Sequence, residues 1–179
     1  MTTGFPDSDA AADFARERRR HALTALAARL TGKPADALAL LQFDDAVPDV
    51  SRVAEHDLGL RSIALVSIVG TVNRRGGDFD RAFRPRTHRL ERRWERIAAA
   101  RRRGVAMPPI DVYRVGELHF VLDGHHRVSV ARAQRDTTIE ASVRQVETIG
   151  DAVSREPRQC TRRHSPDRRR KRSRLGSER

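Results

Sequence analysis

The stretch PPIDVYRVGELHFVLDGHHRVSVARA, residues 108–133, decides the fold. Pro108 and Pro109 set an extended entry, because the proline ring fixes φ and keeps the preceding residue out of the helical region. Residues 110–115 and 118–122 are short runs rich in β-branched and aromatic side chains, joined by Gly116-Glu117, and they spell a β-hairpin. Asp123-Gly124-His125-His126-Arg127 follows, then about ten residues in which Val128, Val130, Ala131 and Ala133 suggest a helix, then extended residues 139–146. Two adjacent strands, a helix and a further strand give an α+β (mixed α/β) domain with a small sheet and packed helices.

Upstream, residues 63–69 (IALVSIV) form a continuous apolar run between Gly59 and Gly70, which is read as a buried strand. A basic, glycine-bearing loop follows, with Asn73, Arg74, Arg75, Gly76 and Gly77. From Thr87 to Arg103, Leu90, Trp94, Ile97 and Ala98 share one helical face while nine Arg or Glu residues crowd the rest, so an amphipathic helix docked on the sheet by Trp94 is expected. Near the start, Ser8 is a candidate N-cap for a helix carrying Phe14, Leu23, Leu26, Ala27 and Leu30, which Gly32 and Pro34 end.

A second short helix is expected over residues 34–43, packed back through Leu38, Leu40 and Leu41. The pair has the outline of a helix-turn-helix, but PADALALLQF offers no Arg, Asn, Gln or Ser at its start to reach base edges. A packing hairpin, or a surface for a protein partner or self-association, is preferred. The expected organisation is a helical region at 1–49, the α+β domain at 50–148 and a basic tail at 149–179.

The full sequence has 179 residues with 36 Lys and Arg against 24 Asp and Glu, a formal charge of +12. Residues 155–179 hold 11 of the basic and 3 of the acidic residues and so supply +8 of that charge. With almost nothing apolar to bury, this segment cannot offset an ordering entropy of about 1–2 kcal/mol per residue, and it is expected to be disordered. It suits non-specific DNA binding through phosphates, or a solvated tail in an Arg-rich chain. No apolar stretch approaches the roughly 18 residues of a membrane span, and the first residues lack the build of a secretory signal, so a cytoplasmic chain without membrane partners is expected. Cys160 is the sole cysteine, which excludes an internal disulfide and a thiolate zinc cage.

The chemistry concentrates at the strand-to-helix junction. Gly124 permits a tight turn, and the helix that follows presents unpaired backbone N–H groups and a partial positive charge, a place for anions. Arg127 offers a planar donor fork suited to phosphate, and His125 or His126 can donate to a phosphoryl oxygen or shuttle a proton near neutral pH. The competing reading is structural: Asp123 caps the helix, Gly124 turns the chain and the histidines are exposed. His119, Asp123, His125 and His126 also fall within eight residues, but adjacent histidines seldom share one ion and no distant ligand completes a metal site.

At these residues the chain resembles the ParB/sulfiredoxin superfamily over roughly residues 58–146. The resemblance implies a nucleotide phosphate at the helix N-terminus, with Asp123, Gly124, His125, His126 and Arg127 as the binding residues and CTP, ATP or ADP, with or without Mg²⁺, as the ligand. Sulfiredoxins carry Gly-Cys-His-Arg; Gly124, His126 and Arg127 match, but His125 replaces the nucleophilic cysteine, which argues against that activity. Partition proteins carry Gly-Glu-Arg-Arg followed by Arg-Ala; Gly124, Arg127 and Arg132-Ala133 match, while little chain follows Val146 for their further domains. Free serine kinases resemble this chain in Asp-Gly-x-His-Arg, matched by Asp123, Gly124, His126 and Arg127. A phosphotransferase or nucleotidase would draw its base or metal carboxylate from Asp78 or Asp80, with His126 as a further catalytic candidate; their other reading is a surface turn that buries Phe79 and Phe83. A third reading is a non-catalytic adaptor that binds a partner through the N-terminal helices.

Overall fold

The computed structural model describes residues 4–48, 51–72 and 76–148. It opens on α1 (Pro6–Leu30), where Pro6 occupies a position that needs no N–H donor and Asp7 and Asp9 lie at the positive end of the helix. The helix starts ahead of the expected Ser8 cap: Phe5 is the capping residue, and the Ser8 hydroxyl donates back to the Phe5 carbonyl at 3.0 Å.

Residues 34–43 do not form the expected second helix. Ala35–Leu38 is a single 3-10 turn, Leu41–Gln42 is a short strand, β1, and one helical turn follows as α2 (Phe43–Ala46). Leu40 joins the main core while Leu41 packs on the opposite side of the sheet, so consecutive leucines obey the twofold alternation of a strand.

The apolar run 63–69 is likewise not one strand. It is the end of β2 (Arg52–Ala64), a 3-10 turn at Leu65–Ser67 and the start of β3 (Ile68–Thr71). The Leu65 N–H donates to the Thr137 carbonyl at 2.9 Å and the Ser67 hydroxyl to the Ala64 carbonyl at 2.7 Å, which fixes the break. The remaining elements are α3 (Glu91–Arg102), β4 (Ile110–Val115), β5 (Leu118–Asp123), α4 (His125–Ala133) and β6 (Thr138–Thr148).

The six strands form one sheet in the order β1-β3-β5-β4-β6-β2. β1, β3 and β5 run parallel, β4 pairs antiparallel with β5 as the hairpin and parallel with β6, and β2 closes the far edge antiparallel to β6. In a flat sheet β2 and β3 would lie four strand spacings apart, about 19 Å. The link from Ala64 to Ile68 spans at most about 14 Å even when extended, so the sheet must curl. A register shift between Asp57 and Gly59 adds to the bend of β2.

One face carries the main core, where Ile110, Val112, Val121, Ala141 and Val143 meet Phe14, Trp94, Val128 and Val130. Trp94 is fully buried, but it docks between helices as well as over the sheet: its ring lies 5.6 Å from that of Phe14, and its Nε1–H donates to Ser129 Oγ at 2.8 Å. α1 is bound to this layer by Asp13, which pairs with Arg102 of α3, and by buried Glu17, which faces Arg84 at 3.6 Å. The other face holds a smaller cluster of Phe43, Val47, Val115, Phe120 and Val146. No helix among the described residues is long and apolar enough to cross a membrane.

Candidate phosphate-binding site

β3 and β5 run parallel, with Thr71 at the end of β3 level with Val121 and β5 running two residues further to Asp123, so their carboxyl ends lie at the same edge of the sheet as the start of α4. In open α/β sheets such an edge is where ligands gather. Gly124 makes the junction with φ of 104°, a conformation that side-chain-bearing residues rarely adopt. A Cβ there would overlap the Ile110 Cγ2 and stand 2.8 Å from its Cβ, so the turn presses on β4 as well as bending sharply. No side chain caps α4. The N–H groups of His125, His126 and Arg127, in its first turn, therefore have no partner within the helix.

Arg127 is anchored from the underside. Nη1 donates to the carbonyl of Pro108 at 2.6 Å and to that of Pro109, while Nη2 pairs with Asp123 Oδ2 at 2.6 Å. Its side chain is 14% exposed against 64% for Asp123. The arginine thus cross-links the Pro-Pro entry of β4 to the exit of β5, and Asp123 offsets much of its charge.

The two histidines differ. His125 Nε2 lies 2.7 Å from Thr71 Oγ1, and its ring is near-parallel to those of Phe79 and Phe83 at 6.4 and 6.3 Å between centroids. Burial lowers its pKa against the opposing pull of Asp123. His126 meets Phe79 edge-on at 5.2 Å, and its Nδ1 is buried without a hydrogen-bond partner. Burial, then Arg93 and His125, push its pKa down to about 4 although Asp123 acts the other way. In the unliganded protein at pH 7 His126 is therefore a neutral ring, and the positive charge at this edge comes from the helix terminus and Arg93.

Of the other sequence candidates, Asp80 is 2% exposed and accepts the N–H groups of Ala82 and Arg84, both at 2.9 Å; its second oxygen lies 3.0 Å from His21 Nδ1. All three contacts hold its own turn and fasten that turn to α1. Asp78 pairs with Arg89. Phe79 and Phe83 are buried, and Phe79 is what brings this segment against the histidines. Asn73, Arg74, Arg75 and the tail at 149–179 lie outside the described residues. No group of three or more His, Cys, Asp or Glu that could hold a metal occurs among the described residues. Sequence reasoning missed Thr71, His21 and Arg93; nothing local marks them, since each reaches its partner from a distant element.

No family model matches the chain, and no curated protein matches it. Among solved structures it is similar to sulfiredoxin from Arabidopsis thaliana, at 19% identity over 48% of this chain and 84% of that one, with a TM-score of 0.37. The chain is a mixed α/β protein with a six-stranded sheet and a weak structural neighbour in sulfiredoxin, a likeness that carries no argument about what it binds or transforms.

Proposed function

We propose that the chain is a ParB-like nucleotide- or phosphate-binding module that takes CTP, ATP or ADP, with or without Mg²⁺, by its phosphates at the start of α4. The observation that supports this reading is the uncapped N-terminus of α4 behind a left-handed glycine, set at the shared carboxyl ends of β3 and β5. Backbone N–H groups of the first turn supply the donors. Arg127 braces the turn, and Arg93 adds positive charge beside His126. The unpartnered Nδ1 of His126 is a polar atom next to the same turn, and phosphate charge nearby would raise this ring's low pKa and favour its donor form. The basic residues 155–179 would add non-specific contact with DNA backbone.

The test is calorimetric titration of the full chain with CTP, ATP and ADP, each with and without Mg²⁺. Binding near the micromolar range is expected, about −8 kcal/mol, weakened about tenfold or more by Arg93→Gln. Amide signals of His125, His126 and Arg127 should move in the same titration. Absence of binding to all three nucleotides overturns the reading, as does binding that leaves those amides unmoved.

A further inference from the structure

A second polar constellation lies at the opposite end of β5. Arg114 of β4 pairs with His119 of β5 on one side and with Gln145 of β6 on the other, so the three form one lateral row across adjacent strands. Parity places this row on the face that carries the main core, one step beyond Val112, Val121 and Val143. Here a groove of about 580 Å³ opens, with Val143 in its lining, the row beside it and Arg61 of β2 along its edge. That volume falls within the range of small-molecule sites, about 300–1,000 Å³.

The polar groups are held in place. His119 is 7% exposed, and its Nδ1 lies 2.8 Å from the hydroxyl of Ser67, which the turn between β2 and β3 delivers to the groove. Arg114 is fixed by the Gly116 carbonyl and by Glu117 Oε1, each at 2.8 Å. Arg61 donates only its Nε, to the Leu58 carbonyl at 3.2 Å, and among the described residues no carboxylate pairs with it. With Glu117 offsetting Arg114, the groove keeps the charge of one arginine. An apolar patch, one unmatched guanidinium fork, a histidine and a serine hydroxyl together suit an organic anion with an apolar body.

We infer that this groove binds a small organic oxyanion, a carboxylate or phosphate monoester, with the anionic group on Arg61 and the apolar body against Leu58 and Ala64. The site is independent of the start of α4, because His119 and Asp123 stand at opposite ends of β5.

The full chain is titrated with phenyl phosphate, benzoate and uncharged benzyl alcohol, and the His119 ring and the amides of Arg61 and Gln145 are followed by NMR. Saturable shifts at these positions are expected with one or both anions and not with benzyl alcohol; which anion binds tighter identifies the oxyanion. Arg61→Gln, at an exposed edge position, should weaken that binding about tenfold without altering the spectrum elsewhere. The inference is overturned by equal binding of benzyl alcohol, by no saturable shift up to about 10 mM, by shifts confined to His125–Arg127, or by affinity unchanged in Arg61→Gln.

Discussion

His126 shows how burial at a single residue becomes a property of the whole chain. Its pKa falls from the ordinary 6.5 to about 4, so between those values the unfolded chain binds a proton that the folded chain refuses. Stability contributed here is present in full above about pH 6.5 and is lost as pH falls toward 4. His125 and His119, whose pKa values are also lowered by burial, act in the same direction. In His126→Gln, the slope of unfolding free energy against pH across this window should fall by up to about one proton, measured by urea denaturation at a series of pH values. An unchanged slope would mean that the ring is solvated. Gly124 makes a second residue-scale case, because Gly124→Ala faces both an unfavourable φ and the side chain of Ile110. A loss of roughly 2–4 kcal/mol is expected from the shift in denaturation midpoint.

At the scale of elements, the parts legible in the sequence were those with long or unambiguous patterns. The hairpin of β4 and β5 was legible because Pro108, Pro109 and Gly116 punctuate it, and α3 because its apolar stripe recurs over a full helix. Residues 34–43 and 63–69 were misread because a short apolar run does not reveal its period until its neighbours assign each side chain to a face. β2 escaped notice because it is an edge strand in which only Ile63 is buried, and Val53, Leu58, Leu60 and Ile63 keep no regular alternation along it. The turn at the start of α4 was visible as a local string, whereas the contacts of Thr71 and Phe79 with the histidines join residues about fifty positions apart and leave no local trace. Trp94 carries the element-scale prediction. Trp94→Ala, which empties the wedge among α1, α3 and α4, should cost about 3–5 kcal/mol. Trp94→Phe should cost less but leave the Ser129 hydroxyl without its indole donor, about 1–3 kcal/mol in chemical denaturation.

At the scale of the whole molecule, charge and topology set the behaviour. Deleting residues 155–179 removes +8 of the +12 formal charge. DNA affinity should drop, and the slope of log K against log salt should flatten, as read by fluorescence anisotropy over a range of salt concentrations. A slope unaffected by the deletion would assign any DNA contact to the remaining residues. Topology has a consequence in time. β2 bonds along its length to β6 alone, and β6 is made after every other described strand. At about 5–20 residues per second of synthesis, β2 waits for seconds as a thirteen-residue strand with no mate. Such a strand invites pairing with other nascent chains, and its own sequence discourages this: Arg52, Glu55, His56, Asp57 and Arg61 place charged or polar groups along it, and the irregularity at Gly59 spoils a straight edge. The polar residues that break up Val53, Leu58, Leu60 and Ile63, and so hid β2 from pattern reading, are thus what keep it from aggregating while it waits for its partner.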